Sequence, residues 1–508
     1  AALAGAATHG GAAFVAAAAE VPWRPSRAAV VSAAEAAAAE RRRSEGGGRR
    51  GGRRLERLRF SASSHPSSSP SATLGATVAA AAAATAAAAS ARRRAALPQQ
   101  QRTLRQVGRT TSGGSAPTAL RAADPDGTDG ALRPRRVLVV GGSGRVGGST
   151  AKWLQQLASE EGLPGGLEVA VAGRSPDRYK EFADRWRLRA QSDIVPEFVP
   201  LDLTDTSSVR AAARQGWDLV VHTAGPFQGV ERPVVLQEAI AAGVPYVDVC
   251  DDTDLCKAAK ELHASAVASA IPAAVSCGIW PGASALMVLE AVDQLGGEVE
   301  SVDMTFFTAG TGGAGPTIVS ATFLLLAEPP LVYEGGVAQR GEAWGERRLV
   351  DFGAGVGERY VHLLDEPEVY TCNRALGIPN IRSSFGTAPD VWNLMFGVAR
   401  GLPASILRNR DLMQAVSVFS MPIISAVDQL VGSANAMRVD AVAKDGRKIT
   451  LRITHKDLED CVGLATAAFA LEVLQGRVPA GVWFPAEMSD NRGAILDRVR
   501  RDILLWEM

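Results

Sequence analysis

The chain has 508 residues, enough for two domains with a sizeable core once a low-complexity first quarter is set aside. Its formal charge of zero hides an asymmetry: residues 1–133 carry 19 Arg against 8 acidic residues, and the remainder 35 basic against 46 acidic, which argues against a basic, nucleic-acid-binding body. Five cysteines (Cys250, Cys256, Cys277, Cys372 and Cys461) and six scattered histidines show neither disulfide-scaffold density nor metal-ligand spacing, so no structural metal is expected and a reducing compartment is.

Residues 1–133 run through RRRSEGGGRR, SASSHPSSSP and long alanine tracts, a composition that cannot bury enough apolar surface to order itself. An Arg- and Ser-rich, acid-poor N-terminus is that of an organelle transit peptide, here expected as a disordered extension. The alanine-rich run Val78 to Ala91 is too short and too weakly apolar to span a bilayer, and no integral membrane segment is expected.

The first element of the folded part is Val137 to Val140, a continuous run of branched apolar residues that reads as a strand buried on both faces of a parallel sheet. A glycine turn follows at once, with Gly142, Gly144 and Gly147 in G-x-G-x-x-G register before a helix over about Val146 to Leu157. The first glycine permits the tight turn, the second lets a pyrophosphate approach the backbone, and the third lets the helix pack on the strand. Gly142, Ser143, Gly144, Arg145, Val146 and Gly147 are therefore the candidate phosphate loop, backed by the positive end of the helix dipole.

A second buried strand, Leu167 to Ala172, ends in Gly173-Arg174-Ser175. A site for NAD places a carboxylate here for the ribose 2′-hydroxyl, whereas an arginine accommodates a 2′-phosphate, so Arg174 and Ser175 point to NADP(H). A helix through Lys180 to Arg187 leads to a third strand, Glu197 to Leu201, whose end places Asp202 where the adenine amino group could be met, with Thr204 or Asp205 capping the next helix. The fourth strand, Asp218 to His222, runs into Thr223, Ala224, Gly225, Pro226 and Phe227, a loop expected over the cofactor, with Phe227 either covering the nicotinamide or serving as an ordinary core aromatic. Helix Pro233 to Ala242, strand Tyr246 to Cys250, helix Leu255 to Ala268 and strand Ala273 to Ser276 complete the alternation.

Further on, strands are expected at Glu298 to Phe307, Met437 to Lys444 and Lys448 to Thr454, the last two joined by a turn at Asp445-Gly446. A Gly-rich loop, Thr308 to Thr317, leads to an apolar helix Ile318 to Ala327 and reads as a connection or an anion-binding helix start. Leu412 to Val431 is apolar but interrupted by Gln414, Pro422 and Asp428, so it reads as a buried helix. Leu458 to Leu474 and Arg492 to Leu505 are the closing helices, the last expected to pack on the nucleotide domain.

GGSGRVGGST, AGRS, HTAGPF and YVDVCDD, in this order over about Arg135 to Ala285, resemble the saccharopine dehydrogenase NADP-binding domain family, and GTGGAGPT, VDFGAGVGERYV, FGTAP and GVWFP resemble its plastid and cyanobacterial oxidoreductases. The resemblance implies an α/β protein: an N-terminal Rossmann domain of doubly wound parallel sheet that binds NADP(H), and a second α/β domain with a mixed or antiparallel sheet often used for homodimer pairing. It implies a chloroplast location, with mitochondrion the alternative that composition leaves open, pyrophosphate at Gly142 to Gly147, the 2′-phosphate at Arg174 and Ser175, and the nicotinamide half at Ala224 to Phe227. The expected divisions are 1–133 extension, 134–285 Rossmann domain, 286–457 substrate or dimerisation domain, and 458–508 C-terminal helices on the Rossmann domain. Asp251-Asp252 stands where the family commonly has Gly-Glu.

No tyrosine is followed four residues later by lysine, so the short-chain dehydrogenase mechanism is not expected. Tyr246, Asp248, Asp251 and His222 are the candidates for proton transfer, because each lies on or just beyond a strand whose end faces the cofactor. Each has a blander reading: a core histidine, a helix-capping aspartate, a packed strand residue. The expected function is reduction of a small or lipid-like carbonyl, imine or enone, with peripheral lipid contact left open. The competing readings are a non-catalytic nucleotide-binding sensor or scaffold, and a true saccharopine dehydrogenase drawing on Arg374, Arg382, Arg408 and Arg410 for substrate carboxylates.

Overall fold

The computed structural model describes residues 133–190, 195–309 and 315–508. Residues 1–132 of the expected extension and residues 310–314 of the Gly-rich loop lie outside the described residues.

Through the first sheet the chain runs β1 (Arg135–Val140), α1 (Arg145–Glu160), β2 (Leu167–Gly173), α2 (Pro176–Ala190), β3 (Glu197–Pro200), α3 (Thr206–Ala213), β4 (Leu219–His222), α4 (Val234–Ala242), β5 (Tyr246–Asp248), α5 (Thr253–Glu261), α6 (His263–Ala268) and β6 (Pro272–Ala274). It continues through α7 (Ala283–Gln294), β7 (Val299–Ala309), α8 (Pro316–Leu325), β8 (Leu331–Glu334), β9 (Val337–Arg340), β10 (Arg348–Asp351), β11 (Glu358–Leu363), α9 (Pro367–Leu376), β12 (Asn380–Ala388), α10 (Asp390–Ala399), α11 (Ala404–Leu407) and α12 (Arg410–Val431). It closes with β13 (Ala434–Ala443), β14 (Lys448–His455), α13 (Leu458–Leu474), β15 (Gly481–Trp483), α14 (Arg492–Val499) and β16 (Ile503–Glu507).

The first sheet is parallel throughout, in the order β15-β6-β5-β4-β1-β2-β3. Without β15 this is the doubly wound dinucleotide-binding order, which reverses direction between β1 and β4 and so opens a crevice at their C-terminal ends. The second sheet has nine strands and is mixed: β10-β11-β12-β7-β13-β14-β16, with β8 on β12 and β9 on β8. Its centre, β7, runs parallel to β12 and antiparallel to β13.

Burial explains the strand run at the start: Val137 to Val140 are at most 1 % exposed, because alternate side chains feed cores on both faces. Leu138 and Val140 meet Leu236 and Tyr246, while Val137 and Val139 belong to a core that also takes in Leu154, Phe469, Met304, Phe306 and Val439. That second core is continuous from the first sheet to the second, carried across by α7 and α13. No helix among the described residues is long and apolar enough to cross a membrane.

The sequence pattern misplaces four features. Leu412 to Val431, expected as a buried helix, forms most of α12 but leaves Val418, Phe419 and Ile423 exposed. The helix expected over Arg492 to Leu505 ends at Val499; Asp502 adopts a φ of 52°, and the chain re-emerges as β16 beside β14. The helix expected over Leu255 to Ala268 is two, broken at Leu262. Strand β15 is added to the first sheet from far along the chain, so the C-terminal segment supplies a strand to each sheet as well as helices.

Helices α1 and α13 lie in close contact: Ser149 Oγ and Trp153 Nε1 both donate to Asp460 Oδ1 at 3.0 Å. A Cβ on Gly463 falls 2.4 Å from Ser149 Oγ and 2.7 Å from its carbonyl carbon. Gly463→Leu is therefore expected to push the helices apart and cost about 1–3 kcal/mol by urea unfolding.

Candidate functional site

The crevice begins at the turn after β1. Gly141 has a φ of +80°, and a Cβ there falls 2.9 Å from the backbone of Ala224. A Cβ on Gly142 meets Val171 Cγ1 at 2.5 Å, and one on Gly147 meets the Gly141 carbonyl oxygen at 2.4 Å and Thr223 Oγ1 at 2.6 Å. These contacts hold the turn against β2 and β4. At Gly144, by contrast, a Cβ would meet just the Gly141 oxygen, at 3.0 Å, among the described residues. Gly144 is the N-cap of α1 and makes no side-chain cap bond. The first-turn N–H groups of α1 are thus left for an anion, and the residues present fit a pyrophosphate there.

At the end of β2, Arg174 is exposed and Ser175 half-buried. Ser175 Oγ accepts the Arg178 N–H at 3.2 Å, capping α2, so its hydroxyl is partly committed. Arg174 faces the end of β3, where its charge helps hold the Asp202 carboxyl below the usual range, after the larger effect of the two Thr204 bonds. Those bonds, from Thr204 N–H at 3.0 Å and Thr204 Oγ1 at 2.8 Å, make Asp202 an Asx turn as well as an adenine-side candidate. Capping of the next helix falls to Asp205, which accepts the Ser207 N–H. A second guanidinium, Arg185, reaches from α2 to the Ser143 carbonyl oxygen at 3.2 Å. Arg145 leaves the start of α1 toward Glu459, at 3.5 Å, and touches Gly315, so the described end of the Gly-rich loop lies beside the phosphate loop.

On the other side of the crevice Thr223 Oγ1 donates to the Val140 carbonyl at 2.9 Å, and Ala224, Gly225 and Pro226 carry the chain past Gly141. Phe227 is 4 % exposed and meets His222 edge-on at 5.0 Å, so the structure places it in the core. The four proton-transfer candidates fall into two groups. His222 Nδ1 lies 3.1 Å from Tyr246 Oη, which donates to Asp248 Oδ2 at 2.9 Å. Because the phenol has one proton to give, His222 must carry its proton on Nδ1, which leaves Nε2 bare and buried. Asp248 Oδ1 accepts the Ser276 N–H at 2.8 Å and the Cys250 N–H at 3.1 Å, tying the end of β5 to the end of β6. Burial lowers the His222 pKa to about 4, raises that of Asp248 to about 6, and lifts the Tyr246 phenol well above its usual range. The thiol of Cys250 is likewise pushed up by burial, as befits packing rather than nucleophilic attack.

Asp251 stands apart. It lies three residues past the end of β5, its Oδ1 is shielded from solvent without a hydrogen-bond partner, and burial raises its pKa to about 7. Around it gather groups that sequence reasoning did not single out. Gln228, 3 % exposed, donates from Nε2 to the Asp251 carbonyl at 3.1 Å, while its Oε1 has no partner. From α9 come Glu366, the N-cap, and Glu368, in its first turn; Glu366 Oε2 and Glu368 Oε2 are buried without partners, and Ser284 Oγ donates to Glu368 Oε1. Burial first, then repulsion from Glu368, Asp251 and Asp365, holds the Glu366 proton, and burial raises the Glu368 pKa to about 7. Asp365 is better provided for: it accepts the Thr253 hydroxyl at 2.8 Å and the Leu331 N–H at 2.6 Å.

Of the four arginines available for a polycarboxylate substrate, Arg374 stands in the last turn of α9 and the other three are engaged on separate elements. Arg382 is held by Asp303 and Glu346, Arg408 by Glu328, and Arg410 donates to the Pro226 carbonyl at 2.5 Å. A cavity of about 490 Å³ lies elsewhere, beside α10, where Arg347 and Arg400 line it already paired to Asp390 and Glu342. Among the described residues no group of three His, Cys, Asp or Glu is arranged to hold a metal ion.

Residues 137–273 match the family model of the saccharopine dehydrogenase NADP binding domain. Solved structures similar to the chain include apo saccharopine dehydrogenase (L-Glu forming) from Saccharomyces cerevisiae, 14 % identical, covering 73 % of this chain and 98 % of that one at a TM-score of 0.48. Another is the WlbA dehydrogenase from Thermus thermophilus in complex with NAD and UDP-GlcNAcA, 13 % identical, covering 72 % and 94 % at a TM-score of 0.32. No curated protein matches the chain.

The carboxyls set a pH dependence. Asp251 and Glu368 ionise near 7 when folded and near 4 when unfolded, so the unfolded chain loses these protons first and stability falls as pH rises from about 4 to about 7. Glu368→Gln removes one such penalty: above pH 7.5 it is expected to be more stable than the parent by about 1–3 kcal/mol, with little difference at pH 5, in thermal melts across that range.

Proposed function

Because residues 137–273 match the model of the saccharopine dehydrogenase NADP binding domain, we propose that the chain is an NADP(H)-dependent oxidoreductase acting on a small or lipid-like carbonyl, imine or enone in the chloroplast. The observation that carries this reading is the pairing of an uncapped, glycine-lined helix start with an arginine, and no carboxylate, at the end of the neighbouring strand.

When bound, the nicotinamide supplies or accepts a hydride. The chain's own part is to hold it and to manage the proton. The α1 N–H groups and helix dipole take the pyrophosphate, Arg174 takes the 2′-phosphate, and the Ala224 to Phe227 loop backs the nicotinamide half. Asp251 is the group assigned to proton transfer, since among the four candidates it combines an unpartnered oxygen with a pKa near neutrality. Asp248 is saturated by three hydrogen bonds, Tyr246 is bonded on both sides, and His222 stays neutral. These titratable groups beside the nicotinamide loop favour an enzyme over a scaffold.

Two measurements test the reading. The full chain is expected to bind NADPH more tightly than NADH, and Arg174→Ala to weaken NADPH by about tenfold or more while leaving NADH nearly unchanged. Equal affinity for both in the parent removes the 2′-phosphate assignment. Residues 1–133 fused to a fluorescent protein are expected to deliver it to chloroplasts; a cytosolic signal removes the organelle from the proposal.

A further inference from the structure

Arg185 stands well inside α2, yet its guanidinium is delivered to the phosphate loop, where Nη2 donates to the Ser143 carbonyl oxygen at 3.2 Å. Two aromatic neighbours on the same helix fix its position. Phe182 and Trp186, each 3 % exposed, pack with ring centroids 5.5 Å apart, and a Cβ on Gly148 of α1 falls 3.2 Å from Phe182 Cε2. Helix α2 is thus seated on the first turns of α1, and Arg185, three residues past Phe182, lies on the flank of that seat. Ser143 is also the loop residue that borders the end of β2, because its Oγ lies 3.2 Å from where a Cβ on Gly173 would be. Arg174 follows Gly173 directly. One loop residue therefore holds Arg185 by its carbonyl and borders, by its hydroxyl, the strand end that carries Arg174.

Neither guanidinium is spent on an acid. Among the described residues no carboxylate lies within ion-pair distance of Arg174 or Arg185: Asp184 takes Arg187 at 3.2 Å, Asp177 takes Lys180 at 3.2 Å, and Asp202, which senses the charge of Arg174, accepts two bonds from Thr204. Arg210 in the same sheet's layer shows the ordinary arrangement, pairing with Glu238 at 2.9 Å. A guanidinium has five N–H donors, and a neutral carbonyl that takes one of them orients the group without neutralising it. Charge then decides which anion it suits. A 2′-phosphate carries about 1.5 to 2 negative charges near pH 7, more than Arg174 alone balances. Ser175 Oγ is already accepting the Arg178 N–H, and the pyrophosphate has the free N–H groups of α1.

We infer that Arg185 is a specificity-determining residue, the second half of a two-guanidinium clamp with Arg174 on the 2′-phosphate of the coenzyme. The inference rests on the reading that α1 takes the pyrophosphate and Arg174 the 2′-phosphate. The Ser143 carbonyl holds Arg185 in place before the coenzyme arrives, so less side-chain freedom is left to lose on binding. Because the residue that steadies Arg185 belongs to the G-x-G-x-x-G turn, the choice between coenzymes is tied to the same loop that binds either of them.

The test is isothermal titration of the full chain with NADP⁺, NAD⁺, 2′,5′-ADP and 5′-AMP, which needs no turnover. Arg185→Gln is expected to weaken NADP⁺ and 2′,5′-ADP about tenfold, while NAD⁺ and 5′-AMP stay within about twofold of the parent and so report that the variant is folded. Arg185→Lys keeps the charge and loses the fork, and its NADP⁺ affinity is expected to fall between the two. The second proton leaves the 2′-phosphate near pH 6, so the parent's ratio of NADP⁺ to NAD⁺ affinity is expected to rise from about pH 5.5 to about pH 7.5, and the rise to shrink in Arg185→Gln. NADP⁺ and NAD⁺ weakened alike, or NADP⁺ affinity unchanged, overturns the role of Arg185. The coenzyme reading then still stands if Arg174→Ala loses the preference for NADP⁺ in the same titrations. Equal affinity of the parent for NADP⁺ and NAD⁺ overturns the 2′-phosphate reading and the clamp with it.

Discussion

The close approach of the first glycine turn to its surroundings is the constraint on which the rest of the molecule depends. Gly142 against Val171, Gly147 against the Gly141 carbonyl and Thr223, and Gly141 against Ala224 leave no room for a side chain at three positions of one turn. The contacts bind β1, β2 and β4 into a single rigid corner. That corner fixes where α1 starts, and the start of α1 fixes where an anion can be held. The same helix then carries Ser149 and Trp153 to Asp460 of α13, and α13 carries the core across to the second sheet. The start of α1 and its packing on α13 follow from one set of backbone contacts.

The first sheet was legible in the sequence because local pattern and tertiary environment agree there. Strands buried on both faces read as unbroken apolar runs, and each is followed by a helix with a polar face, so the alternation alone implies the parallel order. Strand ends were overrun by one or two residues, as at Cys250, because β-branched runs continue into loops that are buried for other reasons. The second sheet was only half legible. The β13–β14 hairpin announced itself through Asp445-Gly446, with Gly446 at a φ of +87°. Strands β8 to β11 are short, β9 is wholly exposed and β10 partly so, and none has enough periodicity to separate it from loop. Strand β16 was hidden inside a helical-looking run, Ile503 to Glu507, whose extended form comes from pairing with β14, a long-range contact that no local propensity encodes.

At the candidate site, the phosphate loop, Arg174 and Asp251 could be picked from sequence because turn chemistry and strand ends are local facts. The α9 carboxyls could not. Asp365-Glu366-Pro367-Glu368 has the composition of a solvated acidic turn, and acidic runs usually face water. The signal was present in what flanks it: Val361 to Leu364 before and Val369 after are buried, so the acids sit in a helix start pressed into the protein from both sides. Gln228 carried no signal, since its bond to the Asp251 backbone is a long-range contact that no local pattern encodes.

Charge is laid out in order along the crevice. At one end the N-terminus of α1, Arg174 and Arg185 present positive potential to the phosphates of a dinucleotide. At the other, Asp251, Glu366 and Glu368 place buried acids near the Ala224 to Phe227 loop, while Arg382 and Arg408 are paired to other carboxylates and Arg410 reaches the Pro226 carbonyl. The cost is carried by the empty protein, which keeps protons on these acids near neutrality at the expense of stability. An arrangement that weakens the fold near neutral pH is in keeping with the general observation that local rules are broken where a protein does its work.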